Sequence, residues 1–370
     1  MEQSYQIKQT LCARAAQYHM PVSAAFELTP RCNFNCSMCY VRMTPEEMAP
    51  IGKERTTQQW LDLAKQAREA GLVFLLLTGG EPLLRPDFEI LYRELTNMGM
   101  SISINTNGYL LTDKIRKLFL ELPPALLNVT LYGTSAESYG RLCGVPGAYK
   151  QVTENLQWLK DNGFTVNLNT TITPWNVGDL PEIYAYAKRM ELPIRPSIYN
   201  FPPVRRSNQQ EFQRLPAEQV GILHARDILQ QKGIDEVRSA ASKLGTPEAA
   251  PMSCGLEQGE HMVCYAGRSQ FWMSWDGTMM PCGMLNEPKA YPFEVGFEAA
   301  WQQIVAQTAA ITLCPDCVTC ADKDVCTKCA AITSAETGRF DGKPEYMCTV
   351  TRSYCEELRR LADGDGHIPE

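Results

Sequence analysis

Apolar residues recur along the first two hundred positions in short β-rich runs: Ala24–Leu28, Leu72–Leu77, Ser101–Ile104, Leu126–Leu131, Thr165–Thr171 and Pro193–Ile198. Between them lie stretches with the apolar spacing of amphipathic helices: Thr57–Ala70, Phe88–Met98, Asp113–Leu120, Tyr149–Asn162 and Leu180–Met190. Strand alternating with helix predicts a parallel sheet with helices outside it, because parallel neighbours need a crossover connection. Six such units predict an α/β fold of the open (β/α)6, TIM-like kind, a partial barrel rather than a closed eight-fold one. Ligands in such sheets bind at the carboxyl ends of the strands.

The pattern then changes. Phe201–Arg214 is irregular and carries Arg205, Arg206 and Arg214, which read as a solvated surface or as a grip for an acidic peptide. Glu218–Gln231 has helical spacing, and Lys232–Pro251 is polar and reads as a linker. From Met252 the chain is poor in long helical patterns and rich in Cys, Gly and turn pairs such as Asp276-Gly277. Such a region is expected to be stapled by metal more than by an apolar core. The expected organisation is an extension at 1–21, the partial barrel at 22–215, a helical linker at 216–251, a Cys-rich domain at 252–355 and a tail at 356–370.

Composition narrows the classes. A chain of 370 residues that is 44% hydrophobic and 21% charged is folded rather than disordered or fibrous. Its net charge of -7 disfavours nucleic acid as the main partner. The longest fully apolar run, Leu72–Leu77, is far short of the about 20 residues that cross a membrane. The start, MEQSYQIKQT, has no apolar segment after a basic one, so a cytoplasmic location is expected. Against that background 15 Cys and only 4 His stand out. Thiols in the cytosol are kept reduced, which points to metal ligation or redox chemistry rather than disulfides.

The cysteines fall into two groups. Cys32, Cys36 and Cys39, spaced C-x3-C-x2-C, follow directly on the first strand. Soft thiolates select iron–sulfur clusters or zinc. Structural zinc wants four ligands, and the next Cys in sequence is Cys143. Three ligands therefore leave one metal position open for a substrate or cofactor. The second strand ends in Thr78-Gly79-Gly80-Glu81-Pro82. Glycines there permit close backbone approach, and a carboxylate can accept a charge-assisted bond from an ammonium group.

These two motifs, on successive strand ends, resemble the radical S-adenosylmethionine (radical SAM) superfamily. The resemblance implies that Cys32, Cys36 and Cys39 hold a [4Fe-4S] cluster whose fourth iron chelates the cofactor. It implies cleavage of SAM to methionine and a 5′-deoxyadenosyl radical that abstracts a hydrogen atom. Gly79, Gly80 and Glu81 match the motif that holds the methionyl amino group. By the same likeness Asn105, Asn107, Thr130, Arg141 and Asn169 contact the cofactor's ribose or carboxylate, while Met38 and Tyr40 lie against its adenine.

The second group is Cys264-x12-Gly277-x4-Cys282, then Cys317-x2-Cys320-x5-Cys326-x2-Cys329, then Cys348. It resembles the SPASM domain, which carries auxiliary [4Fe-4S] clusters, although the third gap is one residue shorter than the family spacing. The resemblance implies Cys254, Cys264, Cys282 and Cys329 on one cluster, and Cys317, Cys320, Cys326 and Cys348 on another. With the SAM-binding cluster that makes three. Zinc on the dense run is the competing reading. Cys12, Cys143, Cys314 and Cys355 are surplus, with Cys314 a substitute ligand.

The expected function is a radical SAM/SPASM oxidoreductase that modifies a peptide or protein. A flavodoxin or ferredoxin would supply electrons, and a domain that recognises the peptide would be a separate protein or absent. A small-molecule dehydrogenase or epimerase is the alternative. A sulfatase-maturating type is a further one, weakened because Gly283 stands where that branch commonly has an Asp base. A ferredoxin-like carrier is disfavoured by the Gly-Gly-Glu strand end, which a carrier does not need.

Overall fold

The strand–helix alternation is realised as read. The structure, a computed structural model, describes residues 2–204, 212–246, 261–262 and 264–364. Arg205, Arg206 and Cys254 lie outside the described residues. In chain order the main elements are α1 (Glu2–Gln17), β1 (Ser23–Glu27), α2 (Thr57–Glu69), β2 (Phe74–Thr78), α3 (Phe88–Asn97), β3 (Ser101–Thr106), α4 (Asp113–Glu121) and β4 (Leu126–Thr130). Then come α5 (Ala136–Cys143), α6 (Ala148–Asp161), β5 (Val166–Thr171), α7 (Leu180–Arg189), β6 (Ile194–Ser197), α8 (Ala217–Lys232) and α9 (Ile234–Ser242). They are followed by β7 (Gln270–Met273), β8 (Met279–Met280), α10 (Phe297–Ala309), α11 (Ala330–Thr337) and α12 (Glu345–Ala362). Local chemistry sets several helix starts. Thr56 and Gln59 form a capping box on α2, and Thr112 and Ser135 cap α4 and α5.

The chain divides into two units. The first holds Met1–Ser197, Pro203–Phe212 and Cys264–Ala310; the second holds Ile198–Pro202, Gln213–Val263 and Ile311–Glu370. The whole sheet lies in the first unit, in the order β6-β5-β4-β3-β2-β1-β7-β8. Strands β1 to β6 are parallel neighbours in chain order, β7 adds parallel to β1, and β8 closes antiparallel on β7. Residues 264–310, which the linear reading assigns to the Cys-rich domain, thus extend the barrel sheet.

Register divides the sheet into two faces. On the helix side Leu77, Ile104, Leu127, Val129 and Leu168 are fully buried. There Phe26 stacks on Trp60 of α2 with ring centroids 5.0 Å apart. Phe271 of β7 meets Phe297 and Trp301 of α10 at 5.3 and 5.9 Å. The opposite face carries Glu27 and Trp272 near one edge. Beyond them come Asn105, Asn128 and Asn167 in one row, then Thr130, Asn169 and Arg195 in the next.

The second unit is more helical than its sequence suggests. The stretch read as a linker contains α9, whose Val237 is buried with Ala225 of α8 and Leu358 and Leu361 of α12. The region read as poor in long helices contains α12, 18 residues long, which runs into the expected tail. Cys355, Thr351 and Glu357 occupy its buried stripe, so the apolar period is diluted. Nor is Arg214 a solvated surface cation. It pairs with Glu336 through both oxygens, its guanidinium lies 3.6 Å from the Tyr346 ring centroid, and Tyr199 donates to the same carboxylate at 2.6 Å.

Candidate functional site

Beyond Glu27 the chain turns through Thr29–Arg31 into Cys32, and the end of β2 is docked on that turn. Gly80 N–H donates to the Thr29 carbonyl at 2.6 Å, and Glu81 N–H to the Arg31 carbonyl at 2.9 Å. A Cβ at Gly79 would stand 2.5 Å from the Thr29 oxygen, and one at Gly80 2.3 Å from the Arg31 oxygen. Both are sub-contact distances, so this approach requires glycine. Arg85, just past the motif, fixes the turn from the other side. Its Nη1 donates to the Leu28 carbonyl at 2.8 Å, its Nη2 donates to the Arg55 carbonyl at 3.2 Å, and Asp87 pairs with it at 2.6 Å.

The loop presents its three thiols with donors around them. Phe34 N–H donates to Cys32 Sγ at 3.4 Å, Asn107 Nδ2 donates to it at 3.7 Å, and Arg42 N–H donates to Cys39 Sγ at 3.2 Å. Cys36 is buried. Burial pushes the Cys32 thiol up to about 12. The Cys143 thiol, then burial, push Cys36 upward as well. A coordinated metal would hold these thiols ionised at neutral pH. Three soft ligands, two of them accepting N–H bonds, suit the sulfur shell of an iron–sulfur cluster.

Glu81 is fully buried. Its carboxylate accepts from Leu83 N–H at 3.0 Å, Asn107 N–H at 2.8 Å, and Thr106 Oγ1 at 2.9 and 3.0 Å. It thereby ties the ends of β2 and β3 together. Burial raises its pKa to about 7, against the lowering effect of those bonds. Asn107 also donates to Asn33 Oδ1 at 2.9 Å, so the third strand end is fixed to the cysteine loop.

The other expected cofactor contacts lie around this core. Met38 and Tyr40 are half-buried beside Cys39, and Thr130 and Asn169 are register partners on β4 and β5. Arg141 is exposed on α5 and reaches Glu137 at 3.8 Å. The C-terminus of α5 caps the cysteine loop, with Asn35 N–H donating to the Cys143 carbonyl and Ser37 N–H to the Leu142 carbonyl, both at 3.0 Å.

Of the later cysteines, Cys264 and Cys282 belong to the first unit, and Cys329 belongs to the second. Within the second unit Cys317, Cys320, Cys326 and Cys348 line one cavity of about 70 Å³, with Lys323, Lys328 and Arg352 at its wall. Among the described residues no three Cys, His, Asp or Glu side chains converge as a single metal ion requires.

Sequence reasoning missed several participants. Glu27 is 1% exposed and accepts from the Trp272 indole at 3.2 Å. It is the single acid among the strand residues. A Cβ at Gly283 would come within 2.8 Å of that indole, so residue 283 has no room for a larger side chain. Asn128 Nδ2 donates to Asn105 Oδ1 at 2.8 Å, and Asn167 Nδ2 to Asn128 Oδ1 at 3.4 Å, forming an amide ladder across three strands. The alternation of Asn with apolar residues in β3 to β5 was the available signal.

Comparison with known proteins follows the same lines. The radical SAM superfamily matches residues 26–187. An AdoMet-dependent heme synthase of Methanosarcina barkeri is 27% identical over 90% of this chain and 97% of its own length. A PqqA peptide cyclase of Rhizobium meliloti is 27% identical over 46% of this chain and 45% of its own. In fold, SuiB of Streptococcus suis bound to precursor peptide SuiA has a TM-score of 0.65 at 14% identity, covering 90% of this chain and 77% of SuiB. The enzyme anSMEcpe with bound AdoMet and Cp18Cys peptide has a TM-score of 0.65 at 15% identity, covering 93% and 99%.

Proposed function

Because the chain belongs to the radical SAM superfamily, with the Cys-rich C-terminus of SPASM-type enzymes, we propose that it oxidises a peptide or protein substrate bound on the inner face of its sheet. The family's [4Fe-4S] cluster supplies the electron that cleaves SAM, and Cys32, Cys36 and Cys39 are the residues that would hold it. Cys254, Cys264, Cys282 and Cys329 are assigned to one auxiliary cluster, and Cys317, Cys320, Cys326 and Cys348 to a second.

The observation that carries the peptide reading is the chemistry of the inner face. Asn128 offers an amide on this face, beside the buried Asn167 and the expected cofactor contacts Asn105, Thr130 and Asn169, at the spacing of adjacent strands. Neutral donors and acceptors in a row match peptide groups. A polyanionic small molecule would need several cations, and the strands carry a single one, Arg195. A two-electron oxidation would give a hydrogen atom to the 5′-deoxyadenosyl radical, one more electron to an auxiliary cluster and a proton to a base. Glu27, held by Trp272 at the wall of this face, is the proton acceptor in this reading.

A small-molecule substrate is the second reading, favoured by the heme synthase match, which spans nearly the whole of both chains. Anaerobic assays with SAM and a reductant separate the two. Short peptides encoded beside the gene should raise 5′-deoxyadenosine formation and lose two hydrogen atoms by mass. Stimulation by small molecules and by no such peptide would overturn the first reading.

A further inference from the structure

The glycine in the Cys264-x12-Gly277-x4-Cys282 spacing has a steric reason. Strands β7 and β8 form a hairpin between these two cysteines, and Gly277 sits in its turn with a φ of 91°. There Ser274 N–H donates to the Thr278 carbonyl at 2.8 Å, and Gly277 N–H to the Ser274 carbonyl at 2.9 Å. A Cβ at Gly277 would stand 2.4 Å from Arg55 Nε, so the turn is shaped around that side chain. Arg55 in return holds the turn. Its Nε donates to the Asp276 carbonyl at 2.7 Å and its N–H to the Trp275 carbonyl at 3.3 Å. Its guanidinium lies 4.8 Å from the Phe293 ring centroid.

Glu54, the residue before it, grips a different element. Its two oxygens accept from the Arg31 guanidinium at 2.8 and 2.9 Å, and one also accepts from Thr29 Oγ1. A two-point pair of this kind fixes orientation as well as distance. Thr29–Arg31 is the turn that leads into Cys32. Arg85 backs the junction by donating to the carbonyls of both Arg55 and Leu28. Two adjacent residues therefore join the tip of the Cys264–Cys282 hairpin to the turn before Cys32. The sheet alone does not do this. Pairing of β7 on β1 ends at Met273, and the turn beyond it is held by Arg55.

We infer that Glu54 and Arg55 are positioning residues, a clasp that fixes the Cys264–Cys282 hairpin against the Cys32 turn and so keeps hydrogen abstraction coupled to the later removal of an electron. Small displacements of groups that must act in sequence cost large factors in rate. The consequence for product rests on the peptide-oxidation reading proposed above; the clasp itself does not.

The test uses the full chain in two states. Arg55→Met keeps an unbranched stem and removes the donor and the charge. In metal-free protein, hydrogen exchange read by mass spectrometry should show the Ser274–Thr278 amides exchanging about tenfold or more faster than in wild type, with β3 to β5 unchanged. In reconstituted protein of wild-type iron content, 5′-deoxyadenosine formation should stay near wild type. Oxidised peptide per 5′-deoxyadenosine should fall about tenfold or more. Glu54→Gln should lower the same ratio. The double variant should match Arg55→Met, because a hairpin already released loses nothing further. Unchanged exchange at the turn, losses that add in the double variant, or equal loss of 5′-deoxyadenosine and product overturn the inference. The exchange result decides the clasp even where a variant does not load iron. A wild type that forms 5′-deoxyadenosine yet oxidises no peptide would instead sink the peptide reading.

Discussion

Replacing Glu81 by Gln probes the buried carboxylate that ties β2 to β3, and metal-free protein suffices. In the folded chain this carboxyl is raised from 4.5 to about 7 by burial. That rise corresponds to about 3 kcal/mol, at roughly 1.4 kcal/mol per tenfold change in proton affinity. The folded state holds the proton more tightly than the unfolded state. The stabilising contribution is therefore fully present below about pH 4.5 and is lost as pH rises through about 7. A glutamine has no such equilibrium. Its amide nitrogen would face the N–H of Leu83 or Asn107, leaving a buried donor unsatisfied at a cost of about 1–3 kcal/mol. Urea unfolding of both proteins, followed by tryptophan fluorescence from about pH 5 to about pH 8, reads the difference. Wild type should lead by about 1–3 kcal/mol at the acid end, and that lead should fall by about 3 kcal/mol across the range. A lead that is constant, or that grows with pH, would show that Glu81 is not the proton-holding group.

Further expectations concern the rest of the site. Iron analysis should give about twelve atoms per chain. About eight should remain after Cys32/Cys36/Cys39→Ala, and about eight after Cys317/Cys320/Cys326/Cys348→Ala; zinc in place of iron would overturn the cluster reading. Gly80→Ala places a Cβ 2.3 Å from the Arg31 carbonyl, so it should abolish the electron paramagnetic resonance signal that changes when SAM is added, while the later clusters stay loaded. A Gly80→Ala protein with a normal signal would contradict the docking argument. Glu27→Gln should leave 5′-deoxyadenosine formation intact and cut oxidised product about a hundredfold; equal loss of both would make Glu27 structural. Arg214→Met strands the buried Glu336 carboxylate and should destabilise the second unit by about 3 kcal/mol in urea melts. An unmoved transition would show that the pair is balanced by solvent.

Much of the fold was legible because both periods were clean. Each predicted strand and helix of the first 200 residues lies within a few positions of the observed one. The motif cysteines and the Gly-Gly-Glu turn were legible because their spacing is tied to strand ends. Residues whose importance comes from tertiary placement were not. Glu27 is one polar position in an apolar run, and nothing local shows that Trp272, far along the chain, donates to it. That α5 caps the cysteine loop emerges only when the Leu142 and Cys143 carbonyls accept from Ser37 and Asn35. Arg214 reads as a loop cation until Glu336 arrives from α11. Likewise α9 is only nine residues long, and α12 carries Thr351, Cys355 and Glu357 on its buried stripe, so the helical period does not stand out.

The pairing of β7 on β1 also governs how the protein is made. Ser23 pairs with Gln270, so the first strand to leave the ribosome gains its second neighbour only after nearly two-thirds of the chain has followed. At about 5–20 residues per second that takes roughly ten to fifty seconds. During that interval β1 is an edge strand whose open N–H and C=O groups can recruit another nascent chain. A polypeptide stopped after β6 would keep that edge for good, and the six-strand half is accordingly a poor unit to express by itself.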